Sequence, residues 1–212
     1  MRFAVLASGG GSNLQRLIDA SGRGELGPAQ LVVVGVNVAG CGAVERARNA
    51  GLPVFVVEHK AYPSRADFDR ALLDALRSHQ VELVVLAGFM RILGAEVVTA
   101  FADRLVNIHP ALLPTFPGTN SQLQAIEHGV KFSGCTVHFV DPGVDTGPII
   151  AQAVIPVRDD DDVRALRGRI LVEEHRLLPE VVRAIAEGRV ERQGRRVLVR
   201  GAIPTGEVMR SL

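Results

Sequence analysis

The sequence predicts an α/β protein: a doubly wound, mostly parallel sheet with helices on both faces. Short β-branched runs alternate with helix-periodic segments from the first residues onward. The runs are almost continuously apolar, as strands are when helices cover both faces of a parallel sheet. Gly, Pro, Asn and Asp, the residues that turn a chain, mark the junctions.

Taken in order, Phe3–Ala7, Leu31–Asn37, Val54–Val57, Leu83–Ala87 and Leu105–His109 read as strands. Between them, Asn13–Ala20, Ala43–Ala50, Arg65–Ser78 and Ala95–Ala100 read as helices, the second stopped by Gly51 and Pro53. Thr119–His128 reads as a further short helix. Cys135–Val140 and Ile149–Val157 read as strands around a loop rich in Asp, Gly and Pro. The acids Asp159 to Asp162 precede a long helical pattern from Val163 to about Glu187 and are expected to cap it. Arg189–Arg200 reads as a hairpin turned at Gly194. With no linker or repeat, residues 1–212 are expected to form one domain with lobes of about 1–100 and 101–212.

Composition narrows the function. A formal net charge of +1 supplies no field for nucleic acid or an anionic membrane. Trp is absent and Tyr occurs once, so base-stacking platforms are not expected. No apolar stretch approaches the roughly 18 residues of a membrane span, and no secretory leader pattern opens the chain. Cys41 and Cys135 lie far apart without metal-like spacing, which suits a reducing cytoplasm and small buried thiols. No metal is expected.

Four segments carry chemistry. Asn107-Ile108-His109-Pro110 ends a strand and puts a carboxamide and an imidazole two positions apart, hence on one face. Such a pair can steady an oxyanion and supply a proton, although Asn and His also end strands for purely local reasons. The Gly9-Gly10-Gly11-Ser12-Asn13 loop precedes a helix and offers backbone donors to a phosphate monoester; the alternative is a tight turn with Ser12 as N-cap. Phe89, Met90, Ile92 and Leu93 can wall an apolar pocket, with Arg91 suited to an anion. Asp145, in a loop shaped by Gly143, Gly147 and Pro148, can hold the tautomer of His109 and support its charged form. His138 reads as a supporting residue, and His175 as structural. His59, His79 and His128 read as surface or loop residues.

Together and in this order, Ser8-Gly9-Gly10-Gly11-Ser12-Asn13-Leu14, Gly88-Phe89-Met90-Arg91-Ile92-Leu93, Asn107-Ile108-His109-Pro110 with Leu112-Leu113-Pro114, and Asp145 with Gly147-Pro148 resemble the phosphoribosylglycinamide formyltransferase family, in its free-standing bacterial form. The resemblance implies a Rossmann-like formyltransferase fold and formyl transfer from 10-formyltetrahydrofolate to glycinamide ribonucleotide in purine synthesis. It implies Asn107, His109 and Asp145 as the catalytic set, and Gly11, Ser12, Asn13 and Glu174 as binders of the ribose phosphate and substrate. It assigns Arg65, Met90, Arg91, Ile92, Leu93, Asn107, Val140, Asp141, Val144 and Asp145 to the folate, and a cis Leu113–Pro114 bond. The lobes become phosphate-binding and folate-binding in turn. Partners are then small molecules, with no nucleic acid or membrane, in a monomer or homodimer.

Two departures stand out. Many relatives carry a histidine shortly after Pro117-Gly118, where this chain has Thr119-Asn120-Ser121-Gln122, and Leu171 replaces a phosphate-side Lys or Gln. A formyltetrahydrofolate hydrolase or another folate-dependent formyltransferase is the alternative. A hydrolase gives the anion loop no purpose, and a tRNA formyltransferase calls for a basic surface. A nucleotide-binding module would leave Asn107, His109 and Asp145 idle.

Overall fold

Every residue of Phe3–Ala7 is fully buried, which is why the opening strand lies inside its sheet rather than at an edge. The structure is a computed structural model and describes residues 1–203. The chain divides into two compact units, Met1–Asn107 and Ile108 onward.

In the first unit, strands β1 (Arg2–Ala7), β2 (Gln30–Val36), β3 (Val54–Val56), β4 (Leu83–Leu86) and β5 (Leu105–His109) run in the order β3-β2-β1-β4-β5. All four pairings are parallel, and β5 crosses into the second unit at its last two residues. The predicted α/β, mostly parallel architecture therefore holds. Helices α1 (Ser12–Gly22), α2 (Gly42–Asn49), α3 (Arg65–Ser78) and α4 (Ala95–Ala100) alternate with the strands, with one 3-10 turn at His59–Ala61 that the periodicity did not announce. α3 shows why the pattern was readable: Phe68, Leu72 and Leu76 recur at four-residue spacing and are buried. Ser64 starts it by accepting the Asp67 N–H.

The second unit contains α5 (Ser121–Glu127), the antiparallel pair β6 (Phe132–Phe139) and β7 (Ile149–Pro156), and α6 (Val163–Ala186), which packs on both strands. Asp162 caps α6 by accepting the Ala165 N–H, as expected, but Asp161 instead pairs with Arg169 and Asp159 with Lys131, so one of the four acids caps the helix. The hairpin of β8 (Val190–Gln193) and β9 (Arg196–Val199) turns at Gly194, whose φ of 65° suits glycine. The Leu113–Pro114 bond is cis.

Three expectations need correction. Ser12 is not the N-cap of α1; Gly11 takes that place in the left-handed region, and Ser12 is the first helical residue. Cys41 is only partly buried, because it is the residue before α2, whereas Cys135 is fully buried in β6 and burial pushes its thiol far up. β6 begins at Phe132, earlier than predicted, because Gly134 extends the strand instead of breaking it. A Cβ there would lie 1.9 Å from the Ala153 carbonyl oxygen of β7, so only glycine allows this approach. Gly134→Ala is therefore expected to cost about 3 kcal/mol or to prevent folding, read as lowered Tm or loss of soluble protein.

Candidate active site

Asp145 sits between two imidazoles. Its Oδ2 lies 3.3 Å from His109 Nδ1, and its Oδ1 lies 3.6 Å from His138 Nε2. Oδ2 also accepts the Gly118 N–H at 2.8 Å. The side chain of Asp145 is 13% exposed, against 5% and 2% for the two histidines. His109 reaches this place as the last residue of β5, and His138 is the penultimate residue of β6. Asp145 reaches it through a left-handed backbone (φ 54°) in the loop between β6 and β7. Asp141 shapes that loop by accepting from the Gly143 N–H and the Thr146 hydroxyl.

The far nitrogen of each ring faces a backbone carbonyl: His109 Nε2 lies 2.8 Å from Phe116 O, and His138 Nδ1 lies 2.8 Å from Phe139 O. A carbonyl only accepts, so those nitrogens carry the protons. Charge-assisted N–H···O bonds run to about 2.7–2.9 Å, and both gaps to Asp145 are longer. Burial lowers the pKa of His109 below its ordinary 6.5; Asp145 and the Phe116 carbonyl oppose this without prevailing, and His138 adds to the lowering. Asp145 thus supports the charged form of His109, but desolvation outweighs that support and lowers the imidazole's pKa. Asp145 itself is strongly desolvated, yet the His138 contact and the Gly118 N–H, with the attraction of His109, keep it below the ordinary carboxylate range.

Asn107 is partly buried two positions before His109 on β5, and the strand's alternation sends both side chains to one face. Phe116, Gly118 and Asn120 all have positive φ. Asn120 stands before α5 in the left-handed region, where Asn is tolerated better than most residues. That gives the departure at this position a backbone reason. Glu174, on α6, is 7% exposed and acts electrostatically on Cys135.

In the first unit, Gly11 packs against α2, since a Cβ there would lie 2.9 Å from Ala43 Cα. Ser12 is half-buried and Asn13 buried. Ser8 joins this loop to the next one: its hydroxyl donates to Asn37 Oδ1 at 2.6 Å and accepts the Met90 N–H at 2.7 Å. Met90 and Ile92 are 69% and 57% exposed, whereas Leu93 is buried. Arg65 donates to the Leu93 carbonyl and lies 3.9 Å from Asp69. Arg91 keeps a buried Nε without a hydrogen-bond partner among the described residues. Val144 is exposed, and Val140 and Asp141 are partly buried. The structure thus joins His109 to Asp145 and groups Arg65 with Leu93. It adds four residues that the sequence argument left out of the site: Ser8, Asn37, Asp69 and Phe116. Asp69 alone had a signal, an acid on the apolar stripe of a helix. No three His, Cys, Asp or Glu side chains among the described residues could hold a metal ion.

The profile described as formyl transferase matches residues 1–182. The chain belongs to the formyl transferase family. It is 48% identical to the phosphoribosylglycinamide formyltransferase of Mycobacterium tuberculosis, over 93% of this chain and 94% of that one. The crystal structure of glycinamide ribonucleotide transformylase 1 from Symbiobacterium toebii matches with a TM-score of 0.92 and 51% identity, covering 94% of this chain and 93% of that one. The chain is also 49% identical to the trifunctional purine biosynthetic protein adenosine-3 of Drosophila pseudoobscura pseudoobscura, of which it spans 14%.

The neutral ring of His109 makes stability depend on pH. Between its depressed folded pKa and 6.5, the unfolded chain binds a proton that the folded formyl transferase does not. Its contribution is present above 6.5 and is lost as pH falls through the folded value. Asp145, also lowered, loses its contribution only below 3.8. Tm is therefore expected to fall from about pH 6.5 downward, and His109→Gln to flatten that limb in a thermal-melt series.

Proposed function

We propose that this chain transfers the formyl group of 10-formyltetrahydrofolate to the amine of glycinamide ribonucleotide, as a step of purine synthesis. The observation that carries the reading is near-full-length similarity, in both directions, to the mycobacterial phosphoribosylglycinamide formyltransferase. The pairing of His109 with Asp145 gives it a chemical basis.

In the proposed reaction the substrate amine attacks the formyl carbon, and the carbonyl π electrons move to oxygen. Asn107 and His109 stabilise that oxyanion. Nε2–H of His109 is the donor and exchanges the Phe116 carbonyl for the developing charge. The new anion adds to the carboxylate of Asp145 and shifts the balance that burial sets against an imidazolium. Collapse of the adduct expels N10 of the folate, which takes up a proton as the amine nitrogen loses one, partly through water. Gly11, Ser12 and Asn13 bind the ribose phosphate, a role suited to backbone donors at a helix start, and Glu174 contacts the substrate. Met90 and Ile92 line the folate pocket with Arg65, Arg91, Leu93, Val140, Asp141 and Val144. Exposed apolar side chains at Met90, Ile92 and Val144 support that assignment. With Leu171 at the phosphate side of α6, phosphate binding leans on the first loop. The reading takes the protein to be cytoplasmic and to work as a monomer or homodimer on small molecules, without metal, nucleic acid or membrane. No described helix is long and apolar enough to cross a membrane.

Tetrahydrofolate release, followed by absorbance with and without glycinamide ribonucleotide, tests the transfer. Release is expected only with the acceptor; equal rates without it would mean a hydrolase, and no release in either case a binding module. Asn107→Ala and His109→Ala are each expected to lower kcat by about 100- to 1000-fold while substrate still binds, measured by steady-state kinetics and calorimetry. Full turnover in either variant would remove that residue from its role.

A further inference from the structure

We propose that Asp69 is a positioning residue for folate: from the buried face of α3 it fixes the peptide that holds Met90 and Ile92 outward. This rests on the formyl transfer reading, which places the formyl folate against that segment.

Asp69 is 3% exposed and occupies the apolar stripe of α3 with Phe68, Leu72 and Leu73. A carboxylate is costly there unless it is fully paired, and Asp69 is not. Oδ2 accepts the Gly94 N–H at 2.9 Å, but Oδ1 is buried without a hydrogen-bond partner among the described residues. Its cation, Arg65, is 3.9 Å away and half-exposed, so the ion pair is screened and weak. Burial raises the pKa of Asp69 against the Gly94 N–H and the charges of Arg65 and Arg91, with Glu96 adding to the rise. An acid on this stripe is a cost to the core that its hydrogen bond to Gly94 offsets only in part.

What Asp69 does is local and directional. Arg65, one helical turn earlier, donates Nη2 to the Leu93 carbonyl. The C=O and the N–H of the single Leu93–Gly94 peptide are therefore held by two side chains of one helix. Gly94 is cut to fit, because a Cβ there would lie 2.0 Å from Asp69 Oδ2. With that peptide fixed, Leu93 turns inward (5% exposed) and Ile92 outward (57%). At the other end, Ser8 accepts the Met90 N–H. The four residues from Met90 to Leu93 are pinned at both ends, which presents their apolar side chains to a ligand without an ordering cost on binding.

Steady-state kinetics of Asp69→Ala, Asp69→Asn and Gly94→Ala test this. Asp69→Ala and Gly94→Ala are expected to raise KM for the formyl folate about tenfold or more, with kcat and KM for glycinamide ribonucleotide within about twofold. Asp69→Asn keeps an acceptor for the Gly94 N–H and is expected to recover most of the loss. An unchanged folate KM overturns the proposal, as does a parallel rise for both substrates. Hydrogen exchange adds an arm independent of turnover: in folded variants, exchange should quicken at residues 88–95 and not along β1, and protection left unchanged at 88–95 overturns the proposal. If Asp69→Ala does not fold, Gly94→Ala carries both arms, with Asp69→Asn as the rescue. A wild-type chain without turnover would sink the functional reading alone, leaving the exchange arm to decide on Asp69.

Discussion

A carboxylate taken out of water between two buried imidazoles is the constraint around which the second unit is arranged. Asp145 has lost most of its hydration, and desolvation alone would push it towards protonation. The chain compensates with the His138 contact and with backbone. The Gly118 N–H points at Oδ2, and Asp145 accepts a left-handed φ to meet it. Gly147 lets the returning strand segment pass against Phe139, where a Cβ would lie 1.7 Å from the carbonyl oxygen. Asp141 and Thr146 close the turn between them. Positive φ values at Phe116, Gly118, Asn120 and Asp145 are thus connected features. They cost conformational energy; Gly118 aims its N–H at Asp145 and Phe116 its carbonyl at His109.

The first unit solves a different problem, that of holding loops open at the ends of parallel strands. It does so with single side chains that reach across from neighbouring elements. Ser8, at the end of β1, spans Asn37 and Met90. Arg46 of α2 donates to the Gly10 carbonyl at 2.7 Å and to Gln15. Arg65 and Asp69 of α3 hold Leu93–Gly94. In each case a backbone group that would otherwise face only water is given a fixed partner. Loops held in this way can carry glycines and exposed apolar residues without collapsing onto the core.

The legible parts of the sequence were those written in periodicity and in motif. β5, α3 and α4 fall where the pattern puts them, because their apolar spacing and Ser64 act locally. His109 and Asp145 were legible as a pair, since strand ends and shaped loops in α/β sheets gather chemistry. Hidden from sequence was everything that depends on a distant partner. Gly134 reads as a break until Ala153 is seen against it. Ser12 reads as a cap until Gly11 takes the left-handed turn. The desolvation of His109 is hidden for the same reason: a neighbouring carboxylate is visible in a motif, but the depth of burial that outweighs it is not.

That burial bears on mechanism. A histidine already charged and firmly bonded to Asp145 would have little more to gain from a second negative neighbour. A neutral ring with its Nε2 proton on the Phe116 carbonyl stands differently. Its present acceptor is a neutral dipole, so replacing it with an oxyanion turns an ordinary hydrogen bond into a charge-assisted one, roughly twice as strong. Asp145, unable to protonate the ring in the resting state, adds its attraction when the ring takes up charge. The interaction then strengthens between ground state and transition state, and only such a difference accelerates a reaction. Burial of His109, which works against its charge at rest, is what leaves that difference to be used.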